Sequence, residues 1–465
     1  MVRGTTAVTP SVNVSLFGIY DFCLPVTEIV CNKTTIERMS TVKKNLALLL
    51  AILMVVGMLA ACGTDKPVET SKPAVSDDPV TTTAPNTPET TVPVDPMTLS
   101  TEEKLALAAT LTDAELYELA KKESGTMSVY STTSLCETAM TNFLTKYPGV
   151  AGVYSSVGEA DMFTKLTTEI GSAAEGADMA LLQNAYRMEN ELISEGLLLN
   201  YFPEQYKDTV AEEYWDPCAI LFCHKLFLYN NTEGSLGLDN VWQLTEEAYK
   251  DKIFFKDPST EPVGMNFLVM LTGDTWAAKL ADAYKAYYGK EWSADSGFKN
   301  AGYEFLDGFL ANCNYTYAAD GGIAEGVSTG AAGNVGLFVF SKLRSKSVVR
   351  ENLNIAAYAA EGGNGMAGFS GFMYATYAQI CADTDMPYTC ALFINYILSE
   401  EGFAAWNNEN NMGVYSPNTE IALVPDATGL DKEFTYWMNC LVIEDGVVVA
   451  DKYPEAYEFI STRLG

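Results

Sequence analysis

Histidine is almost absent from this sequence: among 465 residues there is one, His224. A catalytic triad or a histidine-rich metal centre would have to use it. It lies in the apolar run 219–229, AILFCHKLFLY, where a buried structural role is favoured over catalysis. The sequence also has no HExxH motif and no nucleophile elbow. These absences favour a protein that is not an enzyme.

Basic residues are scarce as well. Twenty-nine lysines and arginines face 60 aspartates and glutamates, which gives a formal net charge of −31 and a pI near 4.3. Such a chain repels phosphate backbones, so we expect no nucleic-acid partner. The acidity is typical of a soluble exported surface.

Cysteines are present, but they form no CxxC pair. Zinc-ribbon and thioredoxin-like sites are therefore unsupported. Beyond Cys62 the chain has an odd number of cysteines, and we expect free, buried thiols: Cys136, Cys218, Cys223, Cys313, Cys381, Cys390 and Cys440.

Phosphate-binding glycine motifs are missing too. The glycine-rich stretch 362–371 contains no Walker A motif and no GxGxxG after a strand. A turn or hinge is favoured there over a phosphate cradle. We therefore expect no nucleotide and no other cofactor.

The most informative segment that is present is the apolar run 46–62, LALLLAILMVVGMLAAC, which follows Lys43 and Lys44. A positive flank, an apolar centre and small residues at the end are typical of an export signal. Its last four residues resemble the bacterial lipobox, in which the cysteine is lipidated. We expect a signal peptide at 39–61 and lipidation at Cys62; the alternative is an uncleaved transmembrane anchor.

The segments around this signal have little periodicity. Residues 1–38 precede a normal start at Met39, and we interpret them as a leader from a start codon assigned too early. Residues 62–98 are rich in threonine, proline, valine and aspartate, which predicts a disordered tether. The rest of the chain is then expected outside the cell, at the extracellular face of the cytoplasmic membrane, in a Gram-positive-type arrangement.

After the tether, about 340 residues remain, enough for two packed lobes. Predicted strands at 127–130, 150–156 and 178–182 alternate with helices, which indicates α/β class and a parallel sheet. Ligands of such sheets bind beyond the carboxyl ends of the strands. Polar residues at these ends are the candidate ligand-binding set: Ser131, Thr132, Thr133, Ser156, Gln183 and Asn184.

A second α/β unit follows a long predicted strand at 219–229. Its strands are expected at 253–255 and 334–340, with a returning strand at 353–359. A helix is predicted at 105–122 before the first strand, and another at 386–400 near the end.

Several short motifs, taken in order, resemble solute-binding proteins of ABC importers of the ferric-ion-binding type. The resemblance covers about 111–411 and rests on five segments: LYELAKKE (116–123), FLTKYPG (143–149), LYNNT (228–232), FKDPS (255–259) and FINYILSEEG (393–402). It implies a two-lobed periplasmic-binding-protein-like (type 2) fold with crossing hinge strands. Lobe 1 would be 99–226 with 353–465, and lobe 2 would be 227–352. It also implies a monomer whose partners are ABC permease subunits and a small-molecule solute.

The family's metal ligands do not carry over. Aligned by motif, Ser134, Gln183, Ser341 and Lys342 stand where ferric-ion binders have histidine, glutamate and paired tyrosines. A hard trivalent cation needs anionic oxygens, so no metal is expected. Tyr315 and Tyr317 lie nearby in sequence, but packing or stacking is favoured for them over iron binding.

The substituted residues instead suit a small polar organic solute, including an anionic one. Hydroxyls and amides donate and accept hydrogen bonds, and Lys342 could neutralise an anionic group. Ser259 and Ser341 would complete the site from lobe 2. The alternatives are N-capping for Ser134 and an ordinary solvated side chain for Lys342.

The sequence therefore predicts a lipid-anchored receptor that passes a polar solute to an ABC permease. Three alternatives stay open: a ferric-ion or chelate binder, an extracellular hydrolase, and a surface protein that keeps the fold without transport.

Overall fold

The structure is a computed structural model, and it describes residues 94–172, 175–344 and 347–464. They belong to one compact unit, Thr90–Gly465. The leader 1–38, the signal 39–61, the lipidation site Cys62 and nearly all of the tether lie outside the described residues. Among the helices that are described, none is both long enough and apolar enough to span a bilayer.

Strands are distributed along the whole described chain. They are β1 (Met127–Ser131), β2 (Gly152–Ser156), β3 (Met179–Leu182), β4 (Leu198–Leu199), β5 (Ala219–Asn230), β6 (Ile253–Phe255), β7 (Cys313–Asn314), β8 (Val335–Val339), β9 (Leu353–Ile355), β10 (Gly371–Cys381), β11 (Val414–Tyr415) and β12 (Val442–Ile443).

Helices separate most of these strands. They are α1 (Thr101–Ala109), α2 (Asp113–Ala120), α3 (Leu135–Lys146), α4 (Glu159–Glu169), α5 (Ala185–Arg187), α6 (Pro262–Met270), α7 (Asp274–Tyr288), α8 (Ala301–Asn312), α9 (Asp320–Thr329), α10 (Ser347–Asn352), α11 (Ala356–Ala359), α12 (Pro387–Leu398), α13 (Glu400–Phe403), α14 (Phe434–Cys440) and α15 (Gly446–Ser461).

One continuous sheet runs through both halves of the molecule, in the order β2-β1-β3-β10-β5-β8-β6-β7. The strands β2, β1 and β3 are parallel to one another, and so are β8, β6 and β7. Between these groups lie β10 and β5, which run antiparallel to each other and to their outer neighbours. The two α/β groups are therefore joined by a pair of long crossing strands.

Each group has its own apolar core. The first is formed by β1, β3 and helices α1, α2, α3 and α12, and every residue of α12 is buried. The second is formed by β6 and helices α6, α7, α8 and α15. Because α15 packs against α6, the C-terminal helix contacts the second group. The lobe boundaries themselves stay a prediction.

The strand that leads the chain back to the first group does not lie at 353–359, where the sequence predicts it. Strand β9 stops at Ile355 and α11 follows, so the predicted strand 353–359 is too long and does not make the return. That role belongs to β10, GFMYATYAQIC, which is buried almost throughout and pairs with both β3 and β5. An apolar run without alternation does not distinguish a buried strand from other buried segments.

The predicted helix at 105–122 is two helices. The break occurs at Thr112, whose side chain accepts a hydrogen bond from the Glu115 N–H while the Glu115 carboxylate accepts one from the Thr112 N–H. This capping box starts α2 anew. Ser100 and Glu103 form the same arrangement at the start of α1.

Candidate functional site

A cleft of about 350 Å³ lies at the carboxyl end of the first parallel strand group. Its lining comes from both sides of the crossing strands: Thr132, Gly158, Glu159, Ala160, Asp161, Gln183 and Asn184 from the first group, and Lys256, Thr260, Glu261, Pro262 and Val263 from the second. This placement agrees with the rule that ligands of parallel sheets bind beyond the strand carboxyl ends.

The first wall is organised by Glu159, which opens α4. One oxygen of its carboxylate, Oε1, accepts the backbone N–H groups of Gln183 and Asn184 at 2.9 and 3.0 Å. The loop after β3 is thereby tied to the helix after β2. Burial of this carboxyl raises its pKa to about 7, although the two N–H groups and Arg187 act in the opposite direction.

Gln183 and Asn184 also contact neighbouring elements. The Gln183 Nε2 lies 3.5 Å from the Thr376 Oγ1 on β10. The Asn184 Oδ1 accepts from the Arg187 N–H at 3.2 Å and from the Asn266 Nδ2 at 3.3 Å. Since Asn266 lies on α6, Asn184 links the two groups directly.

The second wall is organised by Glu261, the residue that precedes α6. Its Oε1 accepts from the Lys225 Nζ at 2.5 Å and from the Lys256 Nζ at 3.1 Å. Lys225 lies on the crossing strand β5 and also pairs with Asp320 at 3.1 Å. A buried ion network on the crossing strand therefore holds a carboxylate at the edge of the cleft.

Of the nine candidate residues, the cleft is lined by Thr132, Gln183 and Asn184. The other six are outside this lining. Two of them stabilise the loop before α3: the Ser131 Oγ accepts the Thr133 N–H, and the Thr133 Oγ1 accepts the Leu135 N–H. Ser134, the N-cap residue of α3, makes no side-chain cap bond.

The remaining four lie on three separate elements. Ser156 is exposed at the end of β2. Ser259 bonds to Asp257 in the loop before α6. Ser341 is buried and Lys342 half-buried in a short turn of helix, 340–344, after β8. Their part in ligand binding stays a prediction.

The charged residues of the cleft were not among the predicted site residues; the chief ones are Glu159, Lys256 and Glu261. A signal was available for Glu159, because an acidic residue in the first turn of a helix after a parallel strand faces the same edge as the polar loops. Glu261 had no such signal: its position depends on Lys225, which is 36 residues away.

Other residues considered for chemistry are structural. His224 is buried, bonds to the Tyr415 hydroxyl at 2.9 Å, and has its pKa lowered to about 3 by burial. Tyr317 packs on Phe254. Within the described residues, no group of three or more histidine, cysteine, aspartate or glutamate side chains could hold a metal ion.

No family model and no curated relative matches this sequence. Solved structures do match, and they include the ferric binding protein of Campylobacter jejuni, with a TM-score of 0.53 and 14% identity over 72% of this chain and 99% of that chain. AfuA of Actinobacillus pleuropneumoniae, a periplasmic binding protein solved with fructose-6-phosphate, matches with a TM-score of 0.52 and 16% identity, over 73% of this chain and 97% of that chain. Iron-bound HitA of Pseudomonas aeruginosa matches with a TM-score of 0.52 and 14% identity, over 73% of this chain and 99% of that chain.

At these identities the matches establish the fold. They confirm the predicted α/β architecture: this chain has the two-lobed, type 2 fold of the periplasmic binding proteins, with β5 and β10 as its crossing strands.

Proposed function

We propose that this protein is the substrate-binding protein of an ABC importer and that it binds a small polar organic solute in the cleft. One observation carries the proposal: polar side chains from both α/β groups line a single cleft beside the crossing strands. A ligand that contacts both walls favours a closed arrangement of the two lobes, and no chemical step is needed. A receptor of this kind hands its solute to permease subunits in the membrane.

The location is part of the same proposal. We infer attachment by a lipid on Cys62 at the extracellular face of the cytoplasmic membrane, because the segment 46–62 resembles a lipoprotein signal. We also propose that the protein is a monomer. Metabolic labelling with a fatty acid tests the anchor: the parent is expected to carry the label and Cys62→Ala is not, and an unlabelled parent would contradict lipidation.

The solute can be sought directly by native mass spectrometry of gently purified protein, in which a co-purifying small molecule adds its mass. Titration of that molecule should then give weaker binding by Gln183→Ala, by about tenfold, because a polar contact inside the cleft is lost. Lys342→Ala tests a predicted ligand residue that lies outside the lining: weaker binding would support its part in the site, and unchanged binding would count against it.

Scattering distinguishes a receptor from the alternatives. Ligand-induced compaction supports hinge closure, whereas an unchanged radius of gyration with bound ligand would favour a surface protein without transport. Turnover of a glycan or phosphoester panel would favour an extracellular hydrolase. Binding of ferric ion or a ferric chelate, lost in Glu159→Gln, would favour the iron-binding alternative.

A further inference from the structure

The two walls of the cleft share one feature: each presents a carboxylate with one oxygen fixed by the protein and the other unpartnered. The Glu159 Oε1 takes two backbone N–H groups, and the Glu261 Oε1 takes two lysine ammonium groups. The Oε2 atoms of both side chains are buried and make no hydrogen bond within the described residues. Glu261 is 5% exposed. A buried acceptor without a donor is unfavourable, so a ligand that supplies donors would be bound preferentially.

The lysines near the cleft do not donate hydrogen bonds to these two Oε2 atoms. Lys256 is the lysine in the described lining, and its ammonium contacts the Oε1 of Glu261, as does that of Lys225. Lys225 is also shared with Asp320. Three carboxylates line the described cleft, Glu159, Asp161 and Glu261, so its charge balance is negative.

Acceptors also outnumber donors behind the cleft. Asn266 is 1% exposed, and its Nδ2 donates to Glu444 Oε1 at 2.7 Å and to Asn184 Oδ1 at 3.3 Å. Its own Oδ1 and the Glu444 Oε2 are buried without a hydrogen bond in the described part of the chain. Both oxygens are hydrogen-bond acceptors, so this region offers no spare donor to an anionic solute.

Resting on the proposed function, we propose that the solute is a small organic cation with N–H donors, an amine or a guanidinium, held between Glu159 on one wall and Glu261 on the other. Charge-assisted hydrogen bonds from such a ligand would satisfy both free oxygens at once. The same contacts would join the two walls and so favour closure.

The test uses matched probes on the whole protein: amines, alcohols and carboxylic acids of three to six carbons, each with one or two functional groups. Binding is measured by calorimetry, and thermal shift is used to screen. We expect amines to bind and their uncharged and anionic counterparts not to bind. Binding of alcohols or carboxylates in place of amines overturns the cation proposal but leaves a solute receptor. Failure of every probe, together with no co-purifying solute, overturns both proposals.

Variants locate the contacts. Glu159→Gln and Glu261→Gln are each expected to weaken amine binding at least tenfold, while the exposed Glu137→Gln on α3 binds as the parent does. Glu261→Gln removes a counter-ion of buried Lys225, so its folding is checked by circular dichroism. If it fails to fold, Glu159→Gln decides alone. Unchanged amine affinity in folded Glu159→Gln overturns the assignment.

The pH dependence gives an independent readout. Burial raises the pKa of Glu159 to about 7, and the charge of Arg187 acts against this shift. Burial also raises the pKa of Glu444 to about 8; the charge of Glu159 adds to this shift, and the hydrogen bond from Asn266 acts against it. A bound cation favours the ionised carboxylate, so binding at pH 7 should release protons, and amine affinity should rise between pH 6 and pH 8. Calorimetry in buffers of different ionisation enthalpy measures the protons. Proton uptake, or affinity that falls over this range, overturns the proposal.

Discussion

At the scale of single residues, Lys225 is a charged side chain that is fully buried. It is buried on β5 and contacts Glu261 and Asp320. Burial alone would lower the pKa of this ammonium, but the charges of Asp320 and Glu261 outweigh burial and leave the pKa raised. The same contacts position the Glu261 carboxylate at the cleft, so one lysine serves both stability and the site.

Replacing this lysine should therefore destabilise the fold strongly. Lys225→Met is expected to lower the free energy of unfolding by about 3–5 kcal/mol, since removing one member of a buried ion pair leaves uncompensated charge. Urea denaturation measures the change. The matched control is Lys285→Met, whose exposed partner is Glu291, and its unfolding midpoint should not move. A loss below about 1 kcal/mol in Lys225→Met would mean that the network is not a structural requirement.

At the scale of elements, the crossing strands are the part that makes two α/β groups into one molecule. Strand β10 pairs with β5 from Gly371 opposite Leu226 to Tyr377 opposite Ala219. The pairing begins at Gly371, where φ is +145° and a Cβ would lie 2.1 Å from the Lys225 carbonyl oxygen. Glycine is required here both by the backbone angle and by the closeness of the strands.

Gly371→Ala should therefore be costly. Overpacking alone is expected to lower the free energy of unfolding by about 1–3 kcal/mol, and the strained φ adds to it. Thermal or urea unfolding measures the loss. Gly321→Ala is the control, because this exposed helical glycine has open space around its Cα and alanine there should be neutral or stabilising. Equal stability of the two variants would show that β5 and β10 can separate at this point.

At the scale of the whole molecule, one sheet passes through both cores. The two apolar clusters are distinct, but β5 and β10 contribute residues to each of them. Neither group can unfold without exposing one side of the crossing strands. The architecture thus places a cleft lined by both groups beside one continuous sheet.

We accordingly expect the two groups to unfold together. In urea, peptides from β1 and from β6 should lose protection against pulsed hydrogen exchange at the same midpoint, because their strands belong to one hydrogen-bonded sheet. Mass spectrometry of the labelled peptides measures both midpoints in one sample. Two clearly separated midpoints would show that the lobes are independent folding units.

Part of the first wall could be predicted from residue order. The strand–helix rhythm places the loops after β1 and β3 at one edge, and Thr132, Gln183 and Asn184 do line the cleft there. The charge of the site could not be predicted in the same way. Lys342, expected to provide positive charge, is outside the lining, and the charged residues that do line the cleft are mostly acidic.

Residue order alone indicates the α/β class and the strand ends that contribute to the first wall, and the scarcity of histidine and basic residues disfavours a catalytic triad and a nucleic-acid partner. Which strand returns to the first group, and which residues lie opposite the first wall, depend on how the elements pack in three dimensions. The reason is that these features depend on pairs far apart along the chain, such as Asn184 with Asn266, 82 residues away. Local periodicity specifies an element and its buried face, whereas the opposite side of a cleft is specified by how two separate elements pack.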